Sequence, residues 1–264
     1  MVITLLTDFG LKDTYVAQIK GVIAGIAPQV KVIDLTHDVP PQDILAGSLL
    51  LDAAVDAMPT GSIHIAVVDP SVGTNRNAIA VQTDRFMLVG PDNSIFTAVL
   101  DRYPMKKAVR LTNAQYHQPS VSPTFHGRDI FAPVAAHLAN GEALDNLGEQ
   151  IEKIIRIDLP DLEMDQQTIN ASVLLTDRFG NLLTNIRKEE FDKWLGGGSI
   201  ATIQIEIEGK KITGIHRTFC DVEPKKLVAY FGSSNRLEIA VRNDSAAQTL
   251  RVAGGESVKI SRPG

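Results

Sequence analysis

The first seventy residues change hydrophobic period four times, and this alternation limits the possible fold more than any other feature. Val2–Thr7 is an apolar run of strand length. Residues 13–27 then place Val16, Ile19, Ile23 and Ile26 at three-four spacing and stop at Pro28, which predicts a helix. A second strand, 31–35, closes on Thr36-His37-Asp38. A second helix, 43–58, carries Ile44, Leu49, Leu50, Ala53 and Ala54 along its inner side. Ser62-Ile63-His64-Ile65-Ala66-Val67-Val68 reads as a third, buried strand. The order strand, helix, strand, helix, strand predicts parallel strands joined by right-handed crossovers.

Further on, 78–82 and 86–89 predict a strand pair around Thr83-Asp84-Arg85. A helix is expected over 94–103, a strand over 108–112 and an amphipathic helix over 125–140. The texture changes at 158–165, where Leu159-Pro160-Asp161 and Asp165-Gln166-Gln167 read as a linker. Beyond it come seven strands, 171–176, 182–186, 200–207, 211–217, 227–231, 237–241 and 257–260, with one short helix at 188–195. The expected architecture is an α/β domain over 1–160, with a mostly parallel sheet flanked by helices. A smaller all-β barrel or sandwich follows over 166–264.

The third strand delivers Asp69 to its carboxyl end, in Val68-Asp69-Pro70-Ser71-Val72-Gly73-Thr74-Asn75-Arg76. Proline ends the ladder, glycine turns the chain, and Arg76 brings a fixed cation back towards the acid. Ligands of open α/β sheets bind beyond the carboxyl ends of the strands. Asp8 and the pair His37-Asp38 follow earlier strands, so several ionisable groups share that edge, and His126-Gly127-Arg128-Asp129 opens a later helix. Two bland readings compete: an Asp–Arg pair that only pins a loop, and acids that only cap helices. His37, Asp38, Asp69, His126 and Asp129 can also be written as ligands of a divalent ion. Their spacing lacks the pairing that puts two ligands on one face.

Other chemistries lose ground. A formal net charge of −5 without a basic patch speaks against nucleic acid. The single cysteine, Cys220, excludes an internal disulfide and a multi-thiolate metal site, and it reads as a small half-buried residue on a strand. There is no Gly-x-Ser-x-Gly elbow, no Gly-x-Gly-x-x-Gly and no Gly-Lys-Ser/Thr loop, so no cofactor is expected. The run 44–58 is broken by Asp52 and Asp56, and the first eight residues lack the basic start of a signal peptide. The expectation is a cytoplasmic protein without a membrane span.

Five motifs in order carry a resemblance over nearly the whole chain. They are Thr7-Asp8-Phe9-Gly10 with Asp13-Thr14-Tyr15, Val68-Asp69-Pro70-x-Val72-Gly73-x-x-Arg76 and Gly90-Pro91-Asp92-Asn93, then Phe125-His126-Gly127-Arg128-Asp129 and Asp177-Arg178-Phe179-Gly180-Asn181. The chain resembles the S-adenosylmethionine hydroxide adenosyltransferases, relatives of fluorinase and chlorinase. The resemblance implies attack of water on S-adenosyl-L-methionine at ribose C5′, giving adenosine and L-methionine without a metal. It puts the water-handling set on Asp69, Arg76 and His126. It also implies that Asp8 takes the ribose diol, Asp13 and Asp177 lie near the methionine ammonium, Asn181 reads the adenine edge and Phe219 packs on adenine. Ser233 and Ser234 fall where relatives bind the methionine carboxylate, although fluorinase has arginine at the second place. The adenine-contacting strand end falls at Val241, with a register ambiguous by one residue. A homotrimer is implied as well, each pocket lying between the first domain of one subunit and the second domain of the next.

The halogenating relatives lack the acid and imidazole matching Asp69 and His126 and carry serine at the place of Gly127. Water is therefore expected over halide. Two alternatives remain: a module that binds S-adenosylmethionine or adenosine with incidental turnover, and a metal-dependent hydrolase using His37 and Asp38. Trp194, His64, His137, His117 and His216 are read as structural or motif-free.

Overall fold

The computed structural model describes residues 1–262, so Pro263 and Gly264, the end of the second expected domain, lie outside the described residues. The chain forms two compact units, the first Met1–Ile157 and the second beginning at Asp158.

In the first unit, β1 (Val2–Thr7), α1 (Tyr15–Ile26), β2 (Lys31–Thr36), α2 (Ile44–Val55) and β3 (Ile63–Val67) follow the order read from the sequence. The strand pair is β4 (Ala78–Gln82) and β5 (Met87–Pro91). Then come α3 (Thr97–Arg102), β6 (Lys107–Leu111), α4 (Ala132–Ala139) and β7 (Gly148–Ile151). The sheet order is β2-β1-β3-β5-β4-β6-β7. Strands β2, β1, β3 and β5 are parallel, and the ladders β5–β4, β4–β6 and β6–β7 are antiparallel. The sheet is therefore mixed: β4 and β7 run against the other five strands. Alternate residues face opposite sides, so Ile3 and Leu5 meet α1 and α4 while Leu6 packs in the core built with α2 and α3. Both faces are covered, which is why all five residues of β3 are buried, His64 among them.

The helix expected over 125–140 opens differently. Gly127–Phe131 forms a widened π-helical turn closed by Ala132 N–H donating to Gly127 O, and α4 starts after it. Pro133 has no N–H to offer the Asp129 carbonyl, which accepts from Gln118 N at 2.8 Å instead. The loop before His126 is thereby tied to the turn after it.

The second unit contains β8 (Glu163–Met164), β9 (Thr168–Thr176), β10 (Leu182–Arg187), α5 (Lys188–Leu195), β11 (Gln204–Ile207) and β12 (Lys210–Thr213). It continues with β13 (Leu227–Phe231), β14 (Arg236–Val241), α6 (Ala246–Leu250) and β15 (Ser257–Ser261). All its named ladders are antiparallel, in the order β12-β11-β15-β9-β10-β14-β13, with β8 on β9. Beyond β12, His216 bridges to Tyr230 of β13 and its N–H donates to Ala229 O at 2.8 Å, nearly closing a barrel around Val173, Leu182, Ile205, Leu237 and Ile260.

Two strands expected here are shorter. Residues 200–202 form a 3₁₀ turn capped by Ser199 Oγ, and β12 stops at Thr213 before Gly214. Cys220 is exposed on a 3₁₀ turn, Phe219–Asp221, and not half-buried on a strand, because the chain leaves the sheet after His216. Among the described residues no helix is long and apolar enough to cross a membrane.

Candidate active site

Asp69 stands two residues beyond β3, behind the fully buried Val68. Asn93 fixes that exit: its Nδ2 donates to Val68 O at 2.8 Å while its Oδ1 accepts from Ile95 N. The turn that follows is closed by Val72 N–H donating to Asp69 O and by Thr74, whose N–H and hydroxyl both reach Ser71 O. Gly73, at φ +80°, could not be replaced without displacement, since a Cβ there would lie 2.6 Å from Pro123 O. This close approach presses the Asp69–Arg76 turn against the loop that carries His126.

The three side chains meet. Arg76 Nε donates to Asp69 Oδ2 at 2.9 Å and Nη2 to the same oxygen at 2.5 Å. Nη1 donates to Asn77 O at 3.2 Å, and Nη2 lies 2.8 Å from His126 Nδ1. The Asp69 and Arg76 side chains are only 4% and 6% exposed. The guanidinium also lies over the Phe131 ring, 5.4 Å from its centroid. A guanidinium can only donate, so His126 Nδ1 must accept and the neutral ring carries its proton on Nε2. Burial, and then the charge of Arg76, hold the His126 pKa below the ordinary imidazole value, against opposing pulls from Asp69 and Asp129. Two donors of the set have no partner among the described residues, His126 Nε2–H and the remaining N–H of Arg76 Nη1.

The other ionisable groups of this edge do not join them as one ligand set. His37 Nδ1 contacts Thr7 Oγ1 at 2.8 Å and its Nε2 lies 3.1 Å from Asp34 Oδ1. Asp129 accepts from Ser122 N at 2.8 Å and pairs with Arg128 at 2.7 Å, and Asp38 follows a turn closed on Thr36 Oγ1. Among the described residues no three His, Cys, Asp or Glu side chains form a metal-sized cluster. Asp8 Oδ2 accepts from Gln42 N at 2.9 Å, with Gln42 held at φ +67°. Asp13 is exposed; the cap position of α1 belongs to Thr14.

Two features escaped the sequence reading. Phe9, Tyr15 and Phe125 meet edge to face, with centroids 5.2 to 6.0 Å apart, and line a cavity of about 410 Å³ with Gln18, Ser122, Thr124 and Arg128. All three aromatics stand inside quoted motifs, which was the available signal. His117 is lowered in pKa by burial and by the neighbouring charge of His126, and no motif marks it.

The second unit has its own cavity, of about 740 Å³. Asp177, Asn181, Phe219, Ser233 and Val241 line it, as do Phe179, Arg217, Tyr230 and Glu238, which were not singled out. Ser234 does not; its hydroxyl is buried without a hydrogen-bond partner among the described residues. Asp177 Oδ1 accepts from Phe179 N and Asn181 N, both at 2.8 Å, and Oδ2 accepts from Asn181 Nδ2 at 2.9 Å. This leaves Asn181 Oδ1 as the open acceptor. Val241 packs its side chain in the barrel core, whereas Ala240 belongs to the opposite face of the strand. Phe219 is 48% exposed and edges against Tyr230 at 6.4 Å.

Comparison with known proteins covers both units. Residues 3–148 match the profile described as SAM hydroxide adenosyltransferase N-terminal domain, and residues 171–259 match the C-terminal domain of the same family. The (R)-S-adenosyl-L-methionine hydrolase of Salinispora tropica is 37% identical over 98% of this chain and 97% of its own. That of Thermus thermophilus is 38% identical over 97% of each. A fluorinase from Nocardia brasiliensis is 25% identical over 98% of this chain and 96% of its own. The crystal structure of an uncharacterized conserved protein from Thermotoga maritima superposes with a TM-score of 0.91 at 33% identity, covering 99% of this chain and 100% of that one.

Proposed function

This chain belongs to the SAM hydroxide adenosyltransferase family, and from that premise we propose that it hydrolyses S-adenosyl-L-methionine to adenosine and L-methionine. The oxygen nucleophile attacks ribose C5′ in line with sulfur; the C5′–S bond breaks, the electron pair leaves with neutral methionine, and one proton goes to solvent. A sulfonium departs as a neutral thioether, so sulfur needs no general acid. The demand falls on the nucleophile.

The observation that carries the reading is the contact chain from Asp69 through Arg76 to His126. His126 Nδ1 already accepts from Arg76, so the neutral ring is a donor at Nε2. From Nε2 the ring holds the attacking oxygen, Arg76 fixes the ring in that tautomer, and Asp69 fixes the guanidinium. Halide is the poorer nucleophile. The position above Gly127 is ringed by Ile19, Phe125 and Phe9, which offer a halide no hydroxyl donor.

In this reading the first unit handles the water and, through Asp8, the ribose; the second supplies Asn181, Phe219 and its cavity to the nucleoside. A cytoplasmic homotrimer that works without a metal belongs to the same proposal. Sedimentation at three chain masses supports the trimer and a monomer overturns it. Full turnover in strong chelator supports metal independence.

The decisive experiment is incubation with S-adenosyl-L-methionine in ¹⁸O-labelled water. Adenosine carrying the label at its 5′ oxygen, with unlabelled methionine, is expected. Absence of adenosine at every pH overturns the proposal.

A further inference from the structure

Strands β13 and β14 pair so that Tyr230 lies directly opposite Glu238. Cross-strand partners point to one face, and here that face is the floor of the second unit's cavity. The hairpin leaves room for the carboxyl: a Cβ on Gly232 would fall 1.8 Å from Glu238 Oε1, so the absent side chain is what admits the acid. Tyr230 hydrogen-bonds to the carboxyl.

Two acids flank the space, but they are not equivalent. The oxygens of Asp177 accept three hydrogen bonds from their own loop. Asp177 is therefore a brace for Asn181. Glu238 has the Tyr230 contact and otherwise faces the cavity. Burial pushes its pKa up; the Tyr230 contact opposes this, and the charge of Asp177 adds to it. The remaining charged side chains on the cavity wall are Arg217 and Asp244, the latter paired with Lys225 at 2.8 Å. A carboxyl desolvated in this way gains most from a ligand that brings a positive charge with N–H donors.

We propose that Glu238, set by Tyr230, is the specificity-determining residue that receives the ammonium group of the ligand's amino-acid end. The pocket thereby distinguishes an aminoacyl sulfonium nucleoside from a bare nucleoside. The inference rests on the reading of the ligand as S-adenosyl-L-methionine. It differs from what the family resemblance implies, which assigns this group to Asp13 and Asp177.

The test compares three ligands on wild-type protein and Glu238→Gln: S-adenosylhomocysteine, its desamino analogue with hydrogen in place of the amino group, and adenosine. Wild type is expected to bind S-adenosylhomocysteine about tenfold or more tightly than the desamino analogue. In Glu238→Gln that preference falls to about twofold or less, the KM for S-adenosyl-L-methionine rises about tenfold, and adenosine affinity stays within about twofold. Equal binding of the two analogues by wild type overturns the proposal without any variant having to fold. A variant that keeps the preference, or weakens all three ligands alike, overturns it too. Failure of the underlying reading looks different: wild type then binds neither adenosine nor S-adenosylhomocysteine.

Discussion

Arg76 and His126 stand fifty positions apart, yet Nη2 of the first donates to Nδ1 of the second at 2.8 Å. One short contact therefore decides which nitrogen of the imidazole holds its proton, and it leaves Nε2–H as the ring's donor.

Arg76→Lys keeps the charge but cannot reach Asp69 and His126 together. A fall in kcat of about 10²-fold or more is expected, the usual cost of misplacing a reacting group, with adenosine affinity little changed. Steady-state kinetics beside calorimetric adenosine binding checks it. Near-normal kcat would remove Arg76 from the reaction.

Protonating His126 destroys its ability to accept from Arg76. Its pKa lies below the ordinary value of 6.5, so kcat is expected to hold through neutrality and drop only in the acid range, below that value. His126→Asn keeps an acceptor near the Nδ1 position and has nothing to titrate. Its residual activity should lack the acid limb, as a pH–rate profile of both proteins will show.

His64 is fully buried in β3, with its Nδ1 2.7 Å from Thr4 Oγ1. Burial first, and then the charge of Arg85, depress its pKa to about 4. The unfolded chain binds that proton near pH 6.5, so stability is lost as pH falls from 6.5 towards 4, by about 3 kcal/mol. Denaturant melts at pH 7 and 4.5 measure this. His64→Asn should flatten the dependence by most of that amount while lowering stability at neutral pH.

Gly73→Ala meets both an unfavourable positive φ and the Pro123 carbonyl. A destabilisation of about 1–3 kcal/mol is expected from the strained conformation. The separation of the two loops should also cost about 10²-fold in kcat, as small misplacements of reacting groups do. A variant with wild-type kcat would show that this approach does not position the site.

Asn181→Ala removes the open acceptor at Oδ1 and one bond to Asp177. Adenosine affinity should fall about tenfold, the loss of a well-made hydrogen bond in a cavity, while kcat at saturation changes little. Unchanged affinity would remove Asn181 from the adenine edge.

How much of this was visible in the sequence depended on whether the signal was local. Period and punctuation located β1, α1, β3 and α5 because each is framed by its own caps, glycines or prolines. The edge strand β7 and the five-residue α6 were not read, since neither has a hydrophobic period long enough to register. Asp69, Arg76 and His126 stood out by their motifs, but the 2.8 Å contact depends on Gly73 approaching Pro123, a long-range fact that neither segment contains. Glu238 was passed over for the same reason: it looks like the polar residue of an alternating strand until Tyr230 and Gly232 are placed around it.

The widened turn ahead of Pro133 has one further effect. Because the ring nitrogen leaves the Asp129 carbonyl to the Gln118 amide, a defect in one helix works as the hook that holds down the neighbouring loop. Repairing the helix with alanine would give that carbonyl a competing suitor within its own coil. The repaired molecule should melt later and turn over more slowly, so here an imperfection in regular structure is the source of order in the loop that leads to His126.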